Sequence, residues 1–225
     1  MRTATLMKIA IDGPVASGKT VVGRLAAQRL GCRFLDTGIM YRAVTWVALS
    51  RGVGLGDDEA LAGLATSLEM RLVPGEAGDR LLVDGEDVTD FLREPEVDRG
   101  VSQVSAVSGV RRALVEQQRA IASEGSIVML GRDIGTVVLP DADVKVFLKA
   151  SVEVRARRRY SELQEKGSDI SYDQVASDLE RRDRIDSERA DSPLRPADDA
   201  IQIDTDSLSV EDIAERILAE LKASQ

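Results

Sequence analysis

Three short segments combine residue types and spacing that can handle phosphate. The first, Gly13-Pro14-Val15-Ala16-Ser17-Gly18-Lys19-Thr20, is a complete G-x-x-x-x-G-K-T loop. Such a loop wraps backbone N–H groups around the β-phosphate of a nucleotide, lets Lys19 bridge the phosphates and offers the Thr20 hydroxyl to Mg²⁺. The second is Gly131-Arg132-Asp133, which follows the apolar run Ile127–Leu130. Arg132 can aim a planar fork at phosphate oxygens, and Asp133 can accept hydrogen bonds from a base or orient a water. The alternative there is a solvated ion pair in a loop. The third, Asp36-Thr37-Gly38-x-x-Tyr41-Arg42, also follows an apolar run. Thr37 and Arg42 could grip one phosphate together at the start of a helix, or Thr37 could simply cap that helix.

A fourth stretch is arginine-rich. Arg155, Arg157, Arg158, Arg159, Arg181, Arg182, Arg184, Arg189 and Arg195 fall between Lys149 and Pro196, interleaved with nearly as many acids. One reading is a pair of solvated helices laced by i,i+4 salt bridges. The other is a set of cations that closes over a transferred phosphoryl group. Both readings remain open for individual arginines, with Arg184 and Arg195 assigned to the solvated faces.

Composition narrows the chemistry. The 225 residues contain no histidine, no asparagine and one cysteine, Cys32. That removes Ser-His-Asp hydrolysis, H-E-x-x-H zinc chemistry, the H-R-D loop of protein kinases and any internal disulfide. Mg²⁺, bound by hydroxyl, carboxylate and phosphate oxygens, stays available. A net charge of −9 argues against nucleic acid as the partner. No segment approaches ~18 uninterrupted apolar residues and the first strand begins by about Met7, so a cytoplasmic protein with no membrane partner is expected.

The elements that must position these residues follow from periodicity. Strands are predicted at Lys8–Asp12, Arg33–Leu35, Ile127–Leu130, Lys145–Leu148 and Ala200–Asp204. Helices are predicted at Thr20–Leu30, Ile39–Arg51, Val110–Glu124, Val152–Glu165, Tyr172–Arg189 and Val210–Lys222, with capping-box spacings at Ser171/Gln174 and Ser209/Asp212. Alternation of this kind gives an α/β fold: a five-stranded parallel sheet between helical layers, with a phosphate loop after the first strand. Between 68 and 100 the rhythm breaks into short strands at Met70–Val73, Leu81–Val83 and Glu86–Val88, with turns at Pro74-Gly75, Gly78-Asp79 and Asp84-Gly85. A small antiparallel β insert is expected there.

The absence of a D-x-x-G switch and an N/T-K-x-D guanine reader sets the chain apart from GTPases. No acidic pair follows the strand Ile127–Leu130, unlike motor and transporter ATPases. What remains is a small-molecule kinase, or a protein in which a bound nucleotide controls a partner.

The residues at this point resemble the bacterial cytidylate kinase family. The likeness rests on Ile11-Asp12-Gly13-Pro14, Leu35-Asp36-Thr37-Gly38-x-x-Tyr41-Arg42, Gly85-Glu86-Asp87-Val88, Ser102-Gln103-Val104, Gly131-Arg132-Asp133-x-Gly135-Thr136-Val137-Val138 and Arg189-Ala190-x-x-Pro193-Leu194. It implies transfer of the γ-phosphoryl group of ATP to CMP or dCMP, with Mg²⁺, by a monomer. The implied body has a core at 1–67 and 101–225, a monophosphate-binding insert at 68–100 and a helical lid at about 155–170. Carried over by residue, the resemblance gives the loop 13–20 to ATP and gives Thr37, Arg42, Arg132 and Arg189 to the CMP phosphate. Ser102, Arg111 and Asp133 would read cytosine, and Arg182 and Asp186 would contact ribose. Arg155, Arg158 and Arg159 would close over ATP, with Lys19, Arg132, Arg158 and Arg159 catalytic. Two departures stand out: the hydroxyl of Thr20 directly follows Lys19 where many relatives interpose a glycine, and Thr37 stands where many carry serine.

Overall fold

Ile9, Ala10 and Ile11 are fully buried in β1 (Lys8–Asp12), as a strand covered on both faces requires. In a computed structural model that describes residues 6–73 and 79–223, this strand is the centre of a five-stranded sheet. The order across the sheet is β2 (Arg33–Asp36), β6 (Ile127–Gly131), β1, β7 (Val144–Lys149) and β8 (Ile201–Asp204). The pairings of β1 with β6, of β1 with β7 and of β7 with β8 are parallel, and Ile11 stands between Leu130 and Val146. The chain leaves β1 toward β2 on one side of the sheet and leaves β6 toward β7 on the other, which makes the carboxyl ends of the adjacent β1 and β6 the switch point where open α/β sheets take ligands.

The chain divides into two compact units. The first, residues up to Leu35 and from Gly125 onward, adds α1 (Lys19–Leu30), α6 (Val152–Glu165), α7 (Tyr172–Glu188) and α8 (Val210–Ala223). Val22 and Ala26 of α1 and Ile213 and Ile217 of α8 pack with Ile9, Leu130 and Leu148 of the sheet. Cys32 is half-buried against this core. Both expected caps form. Ser171 Oγ accepts from Gln174 N at 3.2 Å, and Ser209 and Asp212 bond reciprocally, at 3.1 and 3.3 Å.

The second unit, residues 36–124, holds α2 (Gly38–Ser50), α3 (Asp58–Ser67), α4 (Pro95–Ala106) and α5 (Ser108–Ser123). It also holds an antiparallel sheet of β3 (Met70–Val73), β4 (Arg80–Val83) and β5 (Glu86–Asp87). Asp84 and Gly85 both take positive φ, 51° and 85°, in the turn between β4 and β5, the conformation that an Asp-Gly hairpin favours. The turn expected at Pro74-Gly75, and Gly78 of Gly78-Asp79, lie outside the described residues.

Helices α3 and α4 have no counterpart in the sequence reading. Asp57 Oδ1 accepts from Ala60 N to cap α3, and Pro95 sits in the first turn of α4, where its missing N–H costs nothing. Gly100 and the branched Val97, Val101 and Val104 make α4 a weak helix by propensity. Packing overrides that weakness: a Cβ at Gly100 would stand 2.6 Å from Leu55 Cδ1 and 3.0 Å from Thr45 Cγ2.

Candidate active site

The phosphate loop joins β1 to α1 and is shaped by its backbone. Gly13 has φ 151°, and a Cβ there would meet Leu148 O at 2.4 Å, so only glycine lets the loop leave the sheet this close to β7. Gly18, at φ 91°, is the N-cap of α1. Its neighbour Lys19 is buried and turns its ammonium onto the loop, donating to Gly13 O at 2.7 Å, Pro14 O at 2.6 Å and Ser17 Oγ at 3.4 Å. Thr205, just past β8, donates through Oγ1 to Ser17 O at 3.3 Å. Arg158 of α6 in turn donates to Thr205 Oγ1 at 3.1 Å and Thr205 O at 2.6 Å. One arginine is thereby hydrogen-bonded through Thr205 to the strand end and the loop.

Thr20 is exposed in the first turn of α1. Among the described residues no group of three or more histidines, cysteines or carboxylates is arranged to hold a metal. A single hydroxyl beside a phosphate loop is a donor set that fits Mg²⁺, which keeps waters and phosphate oxygens as most of its ligands.

The second constellation surrounds the end of β6. A π turn at Ile134–Val138 follows Gly131-Arg132-Asp133. Asp12, the last residue of β1, holds it: Oδ1 accepts from Ile134 N and Oδ2 from Gly135 N, each at 2.8 Å. Sequence reasoning quoted Asp12 within the family motif but gave it no role. The available signal was its place, a carboxylate ending a buried central strand directly before the loop. Burial pushes its carboxyl up to about 6, the two amide bonds pull it down, and Asp133 and Lys19 act in opposite directions.

Arg132 Nε donates to Asp186 Oδ2 of α7 at 2.8 Å, and Arg189 Nη1 donates to Asp186 Oδ1 at 3.5 Å. Arg189 Nη2 lies 3.9 Å from Asp133 Oδ1, while its Nε donates to Ser192 O at 2.7 Å. Burial by itself raises the Asp186 carboxyl, but the guanidiniums of Arg132 and Arg189 outweigh it and hold the group below the ordinary carboxylate value. The structure thus brings the half-buried Arg132 together with the buried Asp133, Asp186 and Arg189 in one cluster. Arg182 stands half-buried on α7, one turn before Asp186.

Within the second unit, Thr37 precedes α2 and is buried, yet its hydroxyl makes no capping bond; Asp36 Oδ1 accepts from Gly38 N instead, at 3.1 Å. The capping alternative for Thr37 is therefore removed. Arg42 donates to Leu92 O at 3.1 Å and to Asp98 Oδ1 at 2.6 Å. Arg111, buried on α5, donates to Ser105 O at 3.2 Å and lies 5.3 Å from the centre of the Tyr41 ring. Ser105 Oγ donates to Ser102 O, which places Ser102 one hydrogen-bonded residue away from Arg111.

The three arginines of α6 expected to close over ATP differ sharply. Arg159 is half-buried and pairs with Glu162 at 2.8 Å, and Arg158 is engaged on Thr205. Arg155 is buried, with its guanidinium divided between Ala150, Val15 and Asp183.

The family model for cytidylate kinase matches residues 9–223, the whole run from β1 to α8. The chain belongs to the cytidylate kinase family. It is 49% identical to a cytidylate kinase of Bacillus velezensis over 94% of this chain and 95% of that one. It is 52% identical to the bifunctional pantoate ligase/cytidylate kinase of a Synechococcus strain over 93% of this chain, but spans only 39% of that protein's length. Among solved structures, a gluconokinase from Sinorhizobium meliloti 1021 shares the fold, with a TM-score of 0.50 at 14% identity over 96% of this chain and 92% of that one. As a cytidylate kinase family member the chain is an ATP-dependent phosphoryl-transfer enzyme with nucleotide substrates. No helix among the described residues is long and apolar enough to cross a membrane.

Proposed function

We propose that the chain transfers the γ-phosphoryl group of ATP to CMP and dCMP, forming CDP or dCDP and ADP. The observation that carries this reading is the Arg132–Asp186–Arg189 cluster, with Asp186 and Arg189 buried and Arg132 half-buried. Its turn is pinned by Asp12, the residue immediately before the phosphate loop. A nucleotide-dependent switch needs the loop but has no use for a second set of phosphate-directed arginines built beside it.

In this reading the loop Gly13–Thr20 takes ATP, with Lys19 along the β- and γ-phosphates. Thr20 would hold a Mg²⁺ ion brought with the nucleotide, which would supply neutralisation of phosphate charge. An oxygen of the CMP phosphate attacks the γ-phosphorus as the bond to the β-bridging oxygen breaks, and ADP leaves. The attacking oxygen is already anionic, so no general base is required, and a chain without histidine can perform the step. Lys19, Arg132 and the lid arginines Arg158 and Arg159 stabilise charge on the loose transferring group.

Thr37, Arg42, Arg132 and Arg189 serve the CMP phosphate. The guanidiniums of Arg42, Arg132 and Arg189 are already oriented by Asp98 and Asp186, which lowers the entropy cost of gripping it. Ser102, Arg111 and Asp133 read cytosine, Asp133 accepting from the N4 amine and repelling the O4 of uracil. Arg182 and Asp186 contact ribose, and residues 68–100 act as the monophosphate-binding insert on a monomeric cytoplasmic enzyme.

The direct test incubates the chain with ATP, Mg²⁺ and CMP and separates the products. Equimolar CDP and ADP are expected. ADP release at the same rate with and without CMP, and no CDP, would rule the reading out.

A further inference from the structure

Arg155 stands in the first turn of α6 and is 3% exposed. Its Nε donates to Ala150 O at 3.1 Å, Nη1 to Val15 O at 3.2 Å and to Asp183 Oδ1 at 3.1 Å, and Nη2 to Asp183 Oδ2 at 2.5 Å. Four of its five N–H donors are thus spent inside the protein, two of them in a bidentate grip on one carboxylate. Val15, whose carbonyl it holds, is a phosphate-loop residue. The Val15 side chain also packs against the small apolar cluster of Ala156, Val175 and Leu179 that joins α6 to α7. The loop is therefore fastened to the helical pair twice, once by backbone and once by side chain.

Asp183 lies on the stretch of α7 that carries Arg182 and Asp186 and ends directly before Arg189. Asp186, three residues on, is fastened in turn to Arg132. An ion pair whose arginine is buried and whose aspartate is half-buried is weak evidence for stability, because desolvation cancels much of the attraction; what it fixes well is geometry. A lysine could not bridge a loop carbonyl, a strand-end carbonyl and both oxygens of a carboxylate at once.

We propose that Arg155 and Asp183 are a positioning pair that makes the phosphate loop and the arginine-bearing half of α7 one mechanical unit, so that nucleotide binding at the loop and monophosphate binding at α7 assist each other. This rests on the donor and acceptor roles proposed above. Arg155 then works through Val15 and Asp183, not by closing over ATP. Linkage requires the assistance to be reciprocal: a non-hydrolysable ATP analogue tightens CMP binding by the same factor by which CMP tightens the analogue.

Calorimetric titrations of the full chain with AMPPNP and with CMP, each alone and each with the other saturating, read that factor. The wild type is expected to show a coupling of about fivefold or more. In Asp183→Asn and in Arg155→Lys the factor should fall toward one. KM for ATP and for CMP should rise together while kcat changes less. A purely structural pair would lower the melting temperature and leave the coupling factor intact, and that result would overturn the proposal, as would a wild-type factor of one. Should the variants fold poorly, hydrogen exchange on the wild type decides. Adding AMPPNP alone must slow exchange across the α7 segment containing Arg182 and Asp186, and unchanged exchange there contradicts the pair's role. A wild type that binds both ligands with coupling yet makes no CDP would instead sink the proposed function and leave the mechanical link standing.

Discussion

Asp12 shows how a residue outside the usual inventory can govern a site. Both of its oxygens accept from the amides that open the π turn after Arg132 and Asp133. Asp12→Asn keeps the shape but turns an amide N–H₂ toward a backbone N–H. It should lower kcat by roughly 10- to 100-fold, because arginines out of place by about an ångström lose transition-state contacts. The same group makes a stability prediction. Its folded pKa, about 6, lies above the ordinary carboxylate value, so the native state binds the extra proton between about pH 4 and 6. Its contribution to stability is fully present below that window and is lost as pH rises through about 6, by ~3 kcal/mol at most. Urea midpoints of the wild type should fall relative to Asp12→Asn across the window; parallel curves would show that Asp12 titrates normally. Lys19→Ala should cost about 10³-fold in kcat with little change in melting temperature, since its partners Gly13 O and Pro14 O are solvated at modest cost once it is gone. The loop residues were legible because glycine, lysine and threonine at fixed spacing have few other uses. Asp12 was not, because an aspartate at a strand end announces no partner until the amides of Ile134 and Gly135, more than a hundred residues later, are seen to face it.

The elements of the first unit were legible almost to their ends, and for a physical reason. Ile9, Ile11, Val128, Leu130, Val146 and Leu148 are buried on strands whose apolar runs can pair only in a covered sheet. Val152–Glu165 was bounded by a serine that caps it, Ser151 Oγ accepting from Val154 N at 3.3 Å. The second unit was harder, because α3 and α4 are held by contacts and not by propensity. Gly100 reads as a helix breaker in isolation, and it serves as the point where α4 comes close to Leu55 and Thr45. A test at this scale is Ser171→Ala, which removes the cap of α7 that accepts from Gln174 N. It should cost about 1 kcal/mol in urea unfolding. Because α7 is fastened further along at Asp183 and Asp186, kcat should stay within about twofold; a large fall in kcat would mean that the far end of the helix is not anchored independently.

For the whole molecule, a net charge of −9 without a histidine means that any phosphate must be held by local lysines and arginines. Arginines that looked like solvated salt-bridge partners sort by where their partners lie. Arg157, Arg181 and Arg159 pair with nearby acids on their own helices, whereas Arg155, Arg132 and Arg189 are drawn into bonds that cross between elements. Sequence spacing separates these groups only in part: Arg157, Arg159, Arg181 and Arg189 each have an acid three or four residues away, whereas Arg155 and Arg132 have none, and only the fold shows that these two reach Asp183 and Asp186. Such machinery, in the reading proposed above, is built for a cytidine monophosphate. The most direct measurement compares kcat/KM for CMP, dCMP, UMP and AMP in the wild type and in Asp133→Ala. CMP and dCMP should exceed UMP by at least about 10²-fold in the wild type, and Asp133→Ala should erode most of that preference. Equal kcat/KM for CMP and UMP in the wild type, or a preference that survives Asp133→Ala unchanged, would contradict it.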